Sequence, residues 1–358
     1  MPIPIRPAVS ALPAYAAGKP PRAGPAGIGY KLSSNENPYP PLPGVLAEVA
    51  KAAAGMNRYP DAGNTAIADA VARRLGVSAG QVAFGAGSVA VLYHLLQATC
   101  APGDEVVFAW RSFEAYPIAV QLTGATAVPV PLGPGAVHDL DAMRAAVTDR
   151  TRAIMICTPN NPTGPVVPHD DLVSFVDSLP DDVMIMIDEA YVEYVRNVGA
   201  ARGLEIAAGR DNVVVLRTFS KAYGLAGFRV GYCIGDPTVA AATRAVALPF
   251  GVSVTAQAAV LASLRAETEL MDRVHDVVVQ RDLVLAGLRQ HGFDVPDTQG
   301  NFVWLPAGER TTAWAVAFGE VGLSVRPYVA GADDDGIRIS IGEPEANQLV
   351  LQAAATLT

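Results

Sequence analysis

Cysteine and histidine are scarce in this 358-residue chain, and each scarcity excludes something. The three cysteines, Cys100, Cys157 and Cys233, stand far apart in apolar surroundings. They read as small buried hydrophobes, not as a disulfide framework or a zinc site. The five histidines show no paired spacing, so no metal site is expected. Cations are outnumbered too: a formal charge of −9 and a pI near 5.1 argue against a surface built for nucleic acid. No apolar stretch free of charged and polar breaks is long enough to span a bilayer, and no membrane partner is expected. The first residues, MPIPIRPAVS, lack a basic start followed by an apolar run. No secretory leader is evident, and a cytoplasmic location is the expectation.

What is present is a large apolar fraction, 51%, enough for a substantial core and for two domains. Residues 1–43 are rich in Pro, Gly and Ala and read as an extended arm that packs with a smaller C-terminal domain. A large domain is expected over 44–250. There, helical periodicity, as in Ser88–Cys100, alternates with short apolar runs at Glu105–Ala109, Ala153–Cys157, Val183–Ile187, Val213–Leu216 and Val230–Ile234. Runs without polar alternation suit strands buried on both faces, and strands interleaved with helices indicate an α/β fold with a mainly parallel sheet. From 251 to 358 the pattern changes to one or two long helices over Gln257–Gln290, a strand at Asn301–Leu305, a helix near Thr311–Val321, a strand at Ile337–Ile341 and a final helix from about Pro344. That is a smaller α+β unit.

One cation raises a question. Lys221, in TFSKAYGLAGFRVG, is the only lysine between Lys51 and the C-terminus, and it stands where a buried strand gives way to a loop. Three other segments end a strand in the same way. Val82–Ser88 runs from a strand through glycines into a helix start, whose free N–H groups favour a phosphate. Thr158–Gly164, TPNNPTG, follows Ala153–Cys157; alone it reads equally as a turn. Asp188-Glu189-Ala190-Tyr191 follows Val183–Ile187, where a carboxylate at a buried strand end needs a partner. Ligands of open α/β sheets bind outside the carboxyl ends of the strands. A lysine, an acid, a tyrosine, an asparagine, an arginine (Arg229) and a phosphate-binding helix start would meet there. Together they suit pyridoxal 5′-phosphate, which needs a lysine for its aldehyde, an acid for its ring nitrogen and a cradle for its phosphate.

These motifs, with LSSNENPYP, NRYPD, WRSFEAYP, IDEAYVEY, NFVWLP and IRISIG, make the chain resemble the fold-type I pyridoxal-phosphate aminotransferases. Within them it is similar to the histidinol-phosphate aminotransferase branch and its aromatic amino acid relatives. The resemblance covers nearly the whole chain. It implies a seven-stranded, mainly parallel sheet in a large cofactor-binding domain, a smaller α+β domain, and a homodimer with shared active sites. It also implies roles. Lys221 would carry the cofactor and shuttle the substrate's proton, and Asp188 would pair with the ring nitrogen. Tyr191 and Asn161 would bond the phenolic oxygen, and Phe113 would stack on the ring. Ser88, Val89, Ser220 and Arg229 would hold the phosphate, joined by Tyr59 from the neighbouring subunit. Arg338 would grip the substrate carboxylate, with Arg326 as a second pocket arginine, Asn161 near the substrate and Tyr15 in a lid over the side chain. Simpler readings stand beside some of these: Arg326 as a surface ion pair, Tyr15 as arm packing, Phe113 as core, Arg229 as structural. Glu189 and Glu193 read as structural.

The activity expected from the resemblance is ping-pong transamination between aromatic amino acids and 2-oxoglutarate, with histidinol phosphate as the alternative donor. A decarboxylase on the same fold resembles the chain more loosely. A nicotinamide-dependent oxidoreductase would rest on GAGSVA alone. The next strand, however, ends in Trp110-Arg111, the wrong charge for ribose hydroxyls. A non-enzymatic regulatory module would need an added DNA-binding element or a lost lysine, and the chain has neither.

Overall fold

In a computed structural model, residues 3–10, 12, 18–25, 27–331 and 335–357 are described. Seven strands form the large sheet: β1 (Val82–Gly85), β2 (Glu105–Trp110), β3 (Thr126–Pro131), β4 (Thr151–Cys157), β5 (Met184–Asp188), β6 (Val213–Thr218) and β7 (Gly231–Ile234). Their order is β1-β7-β6-β5-β4-β2-β3. All neighbours are parallel except β7, which runs antiparallel to both β6 and β1.

The strands read as continuous apolar runs because helices cover both faces. Alternation sends Val106 and Phe108 of β2, and Met184 and Met186 of β5, into one buried cluster. Val107 and Ala109, and Ile185 and Ile187, enter another on the opposite face. Strand β3 had no counterpart among the expected strands. Its sequence, TAVPVP, carries two prolines and only one fully buried residue, which an edge strand tolerates.

The remaining residues build a three-stranded antiparallel sheet in the order β9-β10-β8, from β8 (Phe302–Pro306), β9 (Arg326–Tyr328) and β10 (Gly336–Ser340). It packs with helix Thr311–Glu320, which in turn contacts helix Pro344–Ala354. The long helical stretch is two helices, Val254–Arg265 and Glu267–Gln290. The first packs on helices Pro43–Ala53 and Thr65–Leu75, and one buried cluster runs from Ile67 and Phe84 through Val274 to Phe302 and Phe318. Ahead of these elements, Tyr30–Lys31 pairs in parallel with Leu323–Ser324, and the Leu32 carbonyl accepts from the Ser340 amide at 2.9 Å. Residues 30–35 therefore run along the small sheet and reach the carboxyl edge of the large one. Among the described residues no helix is long and apolar enough to cross a membrane.

Candidate active site

Parallel strands end their carboxyl termini along one edge. The reversal of β7 also brings its leading residues, including Arg229, to that edge. A cavity of ≈ 410 Å³ opens there. Its wall holds Lys221, Asp188, Tyr191, Asn161, Ser88, Val89, Ser220, Arg229, Phe113, Arg326 and Arg338. Of the residues singled out from sequence, Tyr59 is not in this wall, and Tyr15 lies outside the described residues.

Lys221 follows β6 and the buried Phe219. Its Nζ donates to the Ser34 carbonyl at 3.0 Å and stands 5.8 Å from the centre of the Tyr191 ring. Burial, with the positive charge of Arg338 adding to it, pulls its pKa down to about 7. Asp188 ends β5. One carboxylate oxygen accepts from Tyr116 Oη at 2.9 Å and the other from the Ala190 amide at 3.2 Å. Burial outweighs these bonds and pushes its pKa up to about 6, so the carboxylate stands ready for a cationic partner.

The Gly87–Ser88 turn shows why small residues are needed. Gly87 caps helix Ser88–Thr99 with φ 86°, and no side chain caps that end. A Cβ on Gly87 would lie 2.5 Å from Nη2 of Arg229, so glycine lets the guanidinium lie against the helix start. A Cβ on Gly231 would come within 2.2 Å of the Ser88 amide nitrogen. The helix start at Ser88 and Val89, with the Arg229 guanidinium against it, lines the cavity, as does Ser220.

At the other end Arg338, on β10, is buried and held from several sides. Its Nη1 donates to Asn161 Oδ1 at 2.6 Å and to Tyr328 Oη at 3.0 Å, and its Nη2 donates to the Ser33 carbonyl at 2.8 Å. Its Nε–H is buried with no protein acceptor. Arg326 sits directly across the β9–β10 ladder from Arg338 and donates to Glu114 Oε2 at 2.6 Å. Arg326 is therefore both a cavity residue and an ion-pair partner, where the sequence left the two as alternatives. Phe113 meets Tyr116 edge-on, with ring centres 5.7 Å apart, and faces the cavity.

The two asparagines of TPNNPTG part company. Asn160 turns inward to the Arg111 carbonyl, Ser112 and Thr163 and fixes the loop, while Asn161 faces the cavity. Tyr59 is 82% exposed and stacks on Phe250 at 4.5 Å. Asn35, Glu114, Tyr116 and Tyr328, which line or support the cavity, had not been singled out. Asn35, Glu114 and Tyr116 lie inside the quoted motifs LSSNENPYP and WRSFEAYP, but their partners are far away in sequence.

Fold and site are those of an α/β enzyme with a half-buried lysine at the sheet's carboxyl edge, and the chain belongs to the aminotransferase class I and II family, whose model matches residues 28–353. It is 54% identical to the aromatic amino acid aminotransferase of Streptomyces avermitilis, over 97% of this chain and 96% of that one. It is 53% identical to the aromatic amino acid aminotransferase of Streptomyces coelicolor, over 98% and 96%. Among solved structures, histidinol-phosphate aminotransferase from Sinorhizobium meliloti, in complex with pyridoxal-5′-phosphate, matches with a TM-score of 0.87 at 27% identity. That match covers 99% of this chain and 98% of the other.

Proposed function

We propose that this aminotransferase uses pyridoxal 5′-phosphate to move the amino group of aromatic amino acids to 2-oxoglutarate, in ping-pong fashion. The observation that carries the reading is the Lys221 amine, pulled to about 7, sharing a cavity with Asp188 and an uncapped helix start. The donor set fits the cofactor. Ser88, Val89, Ser220 and Arg229 would hold its phosphate, Asp188 its ring nitrogen, Tyr191 and Asn161 its phenolic oxygen, and Phe113 the face of its ring. Bound, the cofactor supplies an aldehyde for the amino group and an electron-withdrawing ring that acidifies the substrate's Cα–H.

The protein's own residues do the rest. Lys221 Nζ, half neutral near pH 7, takes the proton from the substrate Cα and returns one to the cofactor side. Asp188, ionised against a cation, keeps the ring nitrogen protonated. Arg338 offers its unsatisfied buried Nε–H to the α-carboxylate common to donor and acceptor. The aromatic ring of the donor lies toward Phe113 and Tyr328.

The names of the two Streptomyces relatives support the aromatic donor. Histidinol phosphate remains the second reading, because a phosphate dianion would draw on Arg326 and Arg338 together across the β9–β10 ladder. For the assembly, we propose a homodimer in which Tyr59 serves the neighbouring subunit's phosphate site. Its exposure beside exposed Met56, Leu248 and Phe250 supports that surface as the contact.

The test is a single-turnover donor panel on cofactor-loaded protein, following the visible absorbance. Phenylalanine and tyrosine are expected to convert fast and histidinol phosphate slowly. The reverse order would move the protein to the second reading.

A further inference from the structure

Building on the pyridoxal phosphate reading, we propose that Asn35 is a positioning residue that turns the Tyr191 hydroxyl into a hydrogen-bond donor toward the bound cofactor. A chain of hydrogen bonds leads to this hydroxyl. It begins at the Asn35 backbone N–H, which can only donate and reaches Ser340 Oγ at 2.7 Å. The Ser340 hydroxyl also donates to Asn35 Oδ1 at 3.0 Å. With the amide oxygen engaged there, Asn35 Nδ2 donates to Tyr191 Oη at 2.9 Å. The tyrosine oxygen therefore accepts. Among the described residues no acceptor takes its hydrogen, and the residue lines the cavity beside Lys221. The hydrogen is left for a ligand.

Asn35 is held for this task from three parts of the chain. It is fully buried, at φ 52°, a region asparagine tolerates. Its carbonyl accepts from Asn301 Nδ2 at 3.1 Å, next to β8, and Ser340 belongs to β10. The same logic sets Asn161: its Oδ1 is taken by Arg338 Nη1, which can only donate, so its NH2 group is the side left over. Two side chains are thus prepared as donors for one ligand oxygen, the phenolic oxygen of the cofactor. A hydrogen bond to that oxygen favours its unprotonated form, so the cofactor's visible absorbance should change at lower pH than it would without the bond.

The experiment compares the pH midpoint of that absorbance change in loaded native protein, Asn35→Asp, Tyr191→Phe and the double variant. Aspartate keeps the bonds to Ser340 and replaces the donor facing Tyr191 with an acceptor, which draws the tyrosine hydrogen away from the cavity. The midpoint is expected to rise by about one pH unit in the native background, the size of one hydrogen bond to a charged acceptor. It is expected to rise much less when Tyr191 is Phe. The charge of the new aspartate acts in both backgrounds, so the difference between the two shifts is the readout. Equal shifts, or none in the native background, overturn the proposal. Should the aspartate variant fail to fold, Asn35→Gly suits the positive φ and gives the same comparison without a charge, with equal shifts again overturning it. Native protein that shows no visible absorbance with pyridoxal phosphate would remove the cofactor reading and this proposal together. Absorbance with equal shifts removes only the role of Asn35.

Discussion

Asp188 and Glu189 are neighbours in the chain and face opposite sides of one sheet. Alternation puts Asp188 on the side of Met184 and Met186, where it meets Tyr116 and the cavity. Glu189 falls on the side of Ile185 and Ile187. There Arg217 Nε and Nη2 donate to its Oε2 at 2.9 and 2.7 Å, and the Gly203 amide donates to Oε1 at 2.7 Å. A Cβ on Gly203 would lie 2.7 Å from that oxygen, so the carboxylate is both fully paired and tightly enclosed. Both acids are buried, but among the described residues only Glu189 has a cation within bonding distance. On the back of the sheet, charge is satisfied inside the protein. On the cavity side, buried Asp188 and half-buried Lys221 have their ionisation shifted, a cost in stability that leaves both groups reactive.

Breaking the cavity side should have the largest effect on activity. Lys221→Met is expected to slow transamination by more than about 10³-fold, measured in single turnover. The same variant should change stability in the opposite sense. Lys221 has its folded pKa lowered from 10.5 to about 7, so between those values the unfolded chain binds more protons and stability of the cofactor-free protein rises with pH. Methionine is expected to remove that slope and to raise stability near pH 7, read by denaturant titration. For Asp188, raised from 3.8 to about 6, the folded state binds more protons in that window, and its contribution to stability is lost as pH rises through about 6.

The two neighbouring acids sharpen the contrast further. Asp188→Asn is expected to slow the reaction on the order of 10²-fold while folding normally. Glu189→Ala should do the reverse: a loss of about 3–5 kcal/mol in denaturant unfolding, because Arg217 is left buried without its partner, with the folded fraction keeping its rate. Equal losses of activity in the two variants would erase the distinction between the faces. The smallest effect is expected from Tyr59→Phe, far from both acids, which should weaken cofactor affinity by about tenfold, the value of one charge-assisted hydrogen bond. Fluorescence titration with pyridoxal phosphate measures it. An unchanged affinity would count against a shared site.

The parts legible in the sequence were those whose meaning is local. A strand buried on both faces advertises itself by composition, and each of β2, β4, β5, β6 and β7 overlaps an apolar run that could be read directly. The acid after β5 and the lysine after β6 stand out because charge at a buried strand end has no packing reason. Strand β3 was hidden because its prolines and exposed positions look like a turn. Asn35 was hidden for a different reason. Its sequence neighbours say nothing about Ser340, 305 residues on, yet that hydroxyl decides which way its amide points. Arg326 was read as either a pocket residue or an ion pair, and a sequence cannot show that Glu114, 212 residues away, makes it both.

On the reading proposed above, Lys221, at the carboxyl edge of the large sheet, is the residue that holds the cofactor. Reducing pyridoxal-phosphate-loaded protein with borohydride fixes the cofactor to whichever amine it is bound to, and peptide mass mapping then names that residue. The chain offers Lys19, Lys31, Lys51 and Lys221 as candidates. The expected result is a single modified peptide containing Lys221. Modification at one of the other three lysines, or none at all, would overturn the assignment of Lys221.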